Sequence, residues 1–124
     1  IVDVKEQMNI SFKPDNNQCF NYRVASIITD DGYVLLQSSD TYDFWVLPGG
    51  RCLIGESSRD AITRELEEEL GQSFSDLKLN FILENFFTLE EKEFHELSFI
   101  YQQSLPREAY EYKNKSKRYT RKEV

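Results

Sequence analysis

Three glutamates in the middle of the chain, Glu65, Glu68 and Glu69, are spaced so that a helix would place them on one face. At 100° per residue, Glu68 lies at roughly −60° and Glu69 at roughly +40° from Glu65, whereas Glu67 points to the far side. Carboxylates three and four residues apart repel each other by roughly 0.2–0.5 kcal/mol per pair. A hard divalent cation would relieve that repulsion, and Mg²⁺ prefers such oxygen ligands while it keeps waters for phosphate groups.

The helix that carries these glutamates is predicted from its caps and its apolar stripe. Ser57 is a suitable N-cap residue, and Gly71 stands where a C-cap glycine is expected. Ile62, Leu66 and Leu70 recur every four residues and form a stripe beside the acidic face. The helix is therefore predicted to bury one edge and to hold carboxylates at the boundary of the core. By itself, this pattern favours an ordinary exposed acidic face over a metal site.

The residues that precede the helix reverse this interpretation. Gly50 is followed after five residues by Glu56, and seven further residues separate Glu56 from the segment Arg64-Glu65-Leu66-Glu67-Glu68-Glu69-Leu70-Gly71. This spacing resembles the Nudix box, G-x5-E-x7-R-E-U-x-E-E-x-G-U, in which U is a bulky aliphatic residue. All the fixed positions match and Leu66 fits the first aliphatic position, whereas Gln72 departs from the second. The resemblance extends over about residues 20–103 and fades after Pro106, where the family usually has another strand and a closing helix.

The resemblance implies a role for each matched position. Glu65, Glu68 and Glu69 match the carboxylates that hold the metal, Mg²⁺ or Mn²⁺, and the backbone carbonyl of Gly50 matches one that often joins them. Two further residues, Glu56 and Arg64, match supporting positions that brace the loop and the helix. In the reaction that the resemblance implies, water attacks one phosphorus of a diphosphate after losing its proton to a carboxylate.

A carboxylate from outside the box often approaches the metal cluster in this family, as a ligand or as the general base. The candidates in the second half of the chain are Glu84, Glu90, Glu91, Glu93 and Glu96. Glu96 is the preferred candidate because it is predicted to open a strand that alternates between two faces, where an unpaired carboxylate is costly. The alternative for Glu96 is an N-terminal strand cap that faces water.

The elements around the box predict an α/β (α+β) fold, a Nudix-like sandwich in which a mixed sheet packs one face against the box helix. Asp31-Gly32 is a hairpin turn signal between two strands, and Glu90 to Glu93 reads as an acidic loop. The basic tail, with Lys113, Lys115, Lys117, Arg118, Arg121 and Lys122, favours a solvated segment over a phosphate or nucleic-acid site. The predicted strands span residues 21–29, 33–37, 44–47, 77–83 and 96–102 within a single domain, 1–124.

Composition excludes several classes of function. The net charge of −7 argues against general nucleic-acid binding, and no apolar run approaches the roughly 18 residues of a membrane span. Residues 1–106 hold 8 basic and 19 acidic side chains, whereas residues 107–124 hold 7 and 3. The two cysteines, Cys19 and Cys52, are predicted to be buried thiols in a reducing cytoplasm rather than a disulfide. Oligomeric state is open, and a homodimer is one option.

Two functions follow from these predictions. The first is a metal-dependent pyrophosphohydrolase that cleaves a nucleoside diphosphate linked to another group. The second is a binding module that senses a nucleotide or nucleotide sugar without hydrolysing it. The box keeps both of its paired glutamates, Glu68 and Glu69, and this favours the enzyme. A purely structural domain with an acidic helix does not explain the glycine and arginine spacing.

Overall fold

A computed structural model describes residues 8–39, 44–71, 73–105 and 117–123 of the chain. Gln72 and most of the basic tail lie outside the described residues. The elements, in chain order, are β1 (Ser11–Phe12), β2 (Gln18–Asp30), β3 (Tyr33–Ser39), β4 (Gly49–Arg51), α1 (Ser58–Leu70), β5 (Lys78–Leu89), β6 (Lys92–Ser104) and β7 (Lys117–Glu123).

The described strands form one mixed sheet in the order β5-β6-β2-β3-β7, and β1 and β4 also pair with β2. Strands β2 and β6 run parallel over their length, whereas the other pairs are antiparallel. The long pairing of β2 with β6 places residues that are 75 positions apart in sequence directly beside each other. The predicted mixed sheet is therefore confirmed.

Helix α1 packs on one face of this sheet, and its ends are those that the sequence predicts. The hydroxyl of Ser57 accepts a hydrogen bond from the backbone N–H of Asp60 at 3.1 Å. Gly71 ends the helix in the left-handed conformation, with φ at 70°, and donates to the carbonyl of Glu67 at 2.9 Å. The stripe of Ile62, Leu66 and Leu70 is at most 1% exposed.

The core lies between α1 and the sheet, on the face that we call the helix side. On β2 this face is marked by Val24 and Ile28, which join the same buried cluster as the helix stripe. Because side chains alternate along a strand, Asn21 and Arg23 of β2 point to the opposite face. On β2, the helix side therefore carries the apolar Val24 and Ile28, whereas the opposite face carries the polar Asn21 and the charged Arg23.

Both hairpin turns use two consecutive residues with positive φ. Asp31 and Gly32 have φ of 48° and 83°, which confirms the predicted turn. Glu90 and Glu91 have φ of 51° and 66° and form a second two-residue turn between β5 and β6. The prediction of a longer acidic loop over Glu90 to Glu93 is therefore wrong, because β6 already begins at Lys92.

Three other predictions from the sequence need correction. The apolar segment 44–47 is not a strand, since only Val46 forms an isolated bridge with Gln37, and the strand begins later as β4. Strands β5 and β6 extend well beyond the predicted ranges of 77–83 and 96–102. Part of the tail is a regular strand rather than an unstructured segment, because β7 pairs antiparallel with β3 along its whole length. In the described part of the chain, no helix is long and apolar enough to cross a membrane.

Candidate functional site

Arg64 of α1 is bound to the loop that precedes the helix. Its Nε donates to Oε2 of Glu56 at 2.8 Å, and its Nη2 donates to Oε1 of the same carboxylate at 3.0 Å. Oε1 of Glu56 also accepts from the backbone N–H of Leu53 at 3.0 Å. The Nη2 group donates further to the carbonyl of Arg51 at 3.0 Å. This two-pronged pairing fixes the loop against the first turns of the helix.

The same guanidinium reaches two of the helix glutamates. Nη1 of Arg64 donates to Oε1 of Glu65 at 2.9 Å and lies 3.4 Å from both carboxylate oxygens of Glu68. The spacing of the glutamates indicates only repulsion among them and a cation to relieve it. The structure shows that Arg64 already offsets part of that repulsion. The spacing of the box placed Arg64 beside Glu65, but it did not reveal this contact.

The charges of this cluster shift the pKa values of its members. Burial acts to raise the pKa of Glu56, but hydrogen bonds from Arg64 and from the Leu53 N–H outweigh burial, and the net pKa lies below the usual 4.5. The hydrogen bond to Glu56 raises the pKa of Arg64 despite partial burial. Burial, followed by the nearby charge of Glu56, raises the pKa of the Cys52 thiol to about 11. Glu56 and Arg64 are therefore held as an ion pair, and Cys52 stays a neutral core residue.

Gly50 allows an unusually close approach between β4 and α1. It pairs with Val24 of β2, and the carboxylate of Glu65 occupies the position where a Cβ atom of residue 50 would stand. Any side chain at this position would displace Glu65. The glycine therefore brings the backbone of β4 and the carboxylate of Glu65 close together.

The remaining helix glutamates differ in exposure. Glu67 is exposed, as the helical wheel predicts, and the side chain of Glu68 is 54% exposed. Glu69 is only 2% exposed and faces inward. Among the described residues, no three acidic, histidine or cysteine groups are close enough to hold a metal ion as they stand. The donor set of hard oxygens and the contact at Gly50 nevertheless fit a cation such as Mg²⁺.

Glu96 does not join this cluster. It lies inside β6 rather than at its beginning, and it pairs with Asn21 on β2. Its neighbours at positions 97, 99 and 101 alternate with it, and Phe99 and Tyr101 pack on the helix side. Glu96 therefore points to the opposite face of the sheet. Its role as general base stays a prediction that this placement disfavours.

On that opposite face, Glu96 is held by side chains of β2. The amide of Asn21 donates to its Oε2 at 2.8 Å, and Nε of Arg23 lies 3.9 Å from its Oε1. All three side chains line a cavity of about 620 Å³ that also includes Asn85 and Arg51. This cavity could not be predicted from the sequence, because its lining residues come from four separate segments and no local pattern links them.

The other candidate carboxylates are also apart from the helix. Glu84 lies 3.7 Å from His95 at the sheet surface, and its side chain is 68% exposed. Glu93 accepts from the amide of Gln18 at 3.4 Å in an exposed position. Glu90 and Glu91 form the turn described above. Among the described residues, no hydrogen bond or ion pair connects these carboxylates to Glu65 or Glu68.

Comparisons of the sequence with known proteins give a consistent result. The model of the NUDIX domain family matches residues 20–118. The chain is 38% identical over 65 residues to an RNA pyrophosphohydrolase of Ruthia magnifica subsp. Calyptogena magnifica, and this match covers 52% of the chain and 36% of the relative. It is 46% identical over 52 residues to the CTP pyrophosphohydrolase of Escherichia coli, covering 39% of the chain and 38% of the relative. The matched segments thus span little more than a third of either relative.

Comparisons of the structure agree on the fold. A MutT protein from Bacillus halodurans matches with a TM-score of 0.61 at 24% identity, over 83% of this chain and 68% of the other. A MutT NUDIX hydrolase from Burkholderia pseudomallei matches with a TM-score of 0.58 at 23% identity, over 77% of this chain and 70% of the other. At these identities the likeness concerns the arrangement of the sheet and the helix.

Proposed function

This chain belongs to the Nudix family, and we propose that it hydrolyses a phosphoric anhydride bond of a nucleoside diphosphate derivative with the help of Mg²⁺ or Mn²⁺. The names of two relatives, both pyrophosphohydrolases, support the reaction class. The observation that carries the proposal is the close approach of the Glu65 carboxylate to Gly50. Arg64, on the same helix, donates hydrogen bonds to Glu65 and Glu68. A structural helix has no need of a glycine at which any side chain would displace a carboxylate.

In this proposal the cation would be held by Glu65, Glu68, Glu69 and the carbonyl of Gly50. When bound, it would neutralise charge that develops on the transferred phosphoryl oxygens. The pairing of Arg64 with Glu56 fixes the start of the helix against the loop, so that the glutamates keep their direction.

The chemical step needs one proton acceptor from the protein. A carboxylate of the helix takes a proton from water, the water oxygen bonds to phosphorus, and the bridging oxygen leaves with one phosphate group. Glu68 is the exposed member of the set and can reach solvent water directly. We assign the acceptor to the helix rather than to Glu96, which faces the other side of the sheet.

The second candidate is a sensor that binds a nucleotide without cleaving it. The cavity around Glu96, which could hold a nucleotide by itself, is the observation that favours it. We also propose a cytoplasmic location, which the free buried thiols Cys19 and Cys52 support.

A substrate screen tests the proposed reaction. Purified protein with Mg²⁺ or Mn²⁺ is incubated with nucleoside triphosphates, sugar nucleotides, dinucleotides, dinucleoside polyphosphates and an RNA that carries a 5′-triphosphate. Released phosphate or pyrophosphate is measured, and Glu68→Gln serves as the inactive control. Turnover of at least one anhydride by the wild type and none by the control supports the enzyme. Tight binding of a nucleotide without turnover of any compound supports the sensor.

A further inference from the structure

The cavity on the opposite face holds a carboxylate in an unusual setting. The side chain of Glu96 is 12% exposed and has two polar partners among the described residues, the Asn21 amide at 2.8 Å and the Arg23 guanidinium at 3.9 Å. An ionised carboxylate offers about four acceptor sites. A charge that is largely removed from water is costly unless its acceptor sites are used. Glu96 therefore has the capacity to accept further hydrogen bonds from a molecule in the cavity.

The walls of the cavity suit a flat ring. The rings of Phe87 and Phe94 stack at 4.9 Å with an interplanar angle of 8°, and both line the space beside Glu96. Phe44, Val46 and Leu47 line it as well. A mostly apolar cleft with a few convergent polar groups is the usual form of a site for a small heteroaromatic ligand. The size of about 620 Å³ is within the range of such sites.

Strand β4 has residues on both the cavity and the helix side of the sheet. Residues 50 and 51 are neighbours on this strand, so they face opposite sides of the sheet. Gly50 contacts Glu65 on the helix side, whereas the side chain of Arg51 lines the cavity and its carbonyl accepts from Arg64. Strand β2 lies between β6 and β4, so the distance between these two strands is two strand spacings, on the order of 10 Å. Among the described strands β4 pairs only with β2, so a nucleotide with its base beside Glu96 would bring its phosphates toward Gly50 around the other edge of β4.

We propose that Glu96 is a specificity residue that reads the base of the substrate, and that it selects a guanine-type base. Guanine presents two adjacent donors, its ring N–H and its amino group, which can pair with the two oxygens of one carboxylate. Adenine and cytosine present an acceptor nitrogen next to their amino group, and this nitrogen would face the carboxylate with its lone pair. Hydrogen bonds to a charged group contribute about 1.5–3 kcal/mol each, so the preference should be roughly 10-fold or more. This inference rests on the proposed function for the placement of the phosphates.

Binding of nucleoside monophosphates, which contain no anhydride, tests the inference without catalysis. Isothermal titration of the wild type is expected to give an affinity for GMP that exceeds the affinities for AMP, CMP and UMP by roughly 10-fold or more. Glu96→Gln should remove this preference, because one oxygen becomes a donor that faces the donors of guanine. Glu84→Gln is the matched control, since Glu84 lies on the neighbouring strand, is exposed and is expected to leave the preference unchanged.

Kinetics separate the role in specificity from a role in the chemical step. For a guanine nucleotide substrate, Glu96→Gln should raise KM by roughly 10-fold or more and leave kcat within about threefold of the wild type. A wild type without preference for GMP, or a variant that keeps the preference, would overturn the inference. A fall of about 100-fold in kcat with unchanged KM would also overturn it, because Glu96 would then act as the base. Selective binding of GMP without turnover of any anhydride would support the inference while rejecting the proposed hydrolase.

Discussion

On the helix side of the sheet, Glu56, Glu65 and Glu68 share one guanidinium at distances of 2.8 to 3.4 Å. On the opposite face, Glu96 is held by an amide at 2.8 Å and by a guanidinium only at 3.9 Å. The first group is tightly braced within one loop and one helix. Glu96 is braced less completely and borders a cavity. We interpret the first group as positioned for the proposed chemistry and Glu96 as able to accept further hydrogen bonds from a ligand.

The largest effect that would test this comparison is expected on the helix. Glu68→Gln should lower kcat by more than roughly 100-fold, because loss of a metal ligand exceeds the effect of outer supporting groups. Glu67→Gln changes an exposed neighbour on the far side of α1 and should remain near the wild-type rate. Steady-state kinetics of both variants measure the contrast. Equal sensitivity of the two positions would show that the acidic face of the helix is assigned incorrectly.

Arg64→Lys tests whether the bracing itself is needed. A lysine keeps the positive charge but cannot donate to Glu56 with two parallel hydrogen bonds while it also reaches Glu65. We expect the rate to fall by roughly 10–100-fold, as for other groups that orient ligands. Arg59→Lys is the control for a general loss of arginine contacts, since Arg59 lies in the first turn of the same helix and donates to the carbonyl of Leu77. A wild-type rate for Arg64→Lys would reject the positioning role.

Gly50→Ala tests the close approach of β4 and α1. The added methyl group would overlap the carboxylate of Glu65, so this side chain must move. We expect the rate and the affinity for Mg²⁺ to fall by roughly 10-fold or more. Gly32→Ala is the matched control, since no atom lies within 4 Å of the new methyl group but φ is +83°. It should cost about 1–2 kcal/mol of stability through backbone strain and leave the rate unchanged.

The smallest expected effect is on stability at low pH. The folded pKa of Glu56 is lowered below 4.5, so its contribution to the free energy of unfolding is fully present above about pH 4.5. This contribution is lost as the pH falls through the folded pKa, because the unfolded state binds the proton more readily. Denaturant unfolding between pH 3 and 7 should give a flatter profile for Glu56→Gln than for the wild type. The control Glu67→Gln should keep the wild-type slope, and an unchanged slope for Glu56→Gln would contradict the pairing.

The elements that could be predicted from the sequence depend on local chemistry. Ser57, Gly71 and the stripe of α1 act within a few residues of one another, and the helix ends where they indicate. The turn at Asp31-Gly32 is local in the same sense, because two residues alone set its backbone conformation. The box resemblance likewise implied that Glu56 and Arg64 brace the loop and the helix, and these two residues form an ion pair between them. Their roles in catalysis remain predictions until the variants above are measured.

The elements that could not be predicted depend on pairing across the chain. The apolar segment 44–47 was assigned to a strand, but the pairing with β2 belongs to Gly49–Arg51, where the absence of a Cβ lets Gly49 approach Val24. The face on which Glu96 lies follows from its pairing with Asn21. No local sequence pattern predicts this register. The polar and basic composition of β7 also gave no sign that it extends the sheet beside β3.

The dependence of hydrolysis on Mg²⁺ is the most direct test of the proposed metal site. The initial rate on the best substrate of the screen is measured over a series of Mg²⁺ concentrations, with excess chelator as the zero point. We expect no turnover in chelator, saturable activation by Mg²⁺, and activation that survives Glu67→Gln but is lost in Glu68→Gln. Full turnover in excess chelator would contradict the assignment of Glu65, Glu68, Glu69 and Gly50 to a catalytic metal site.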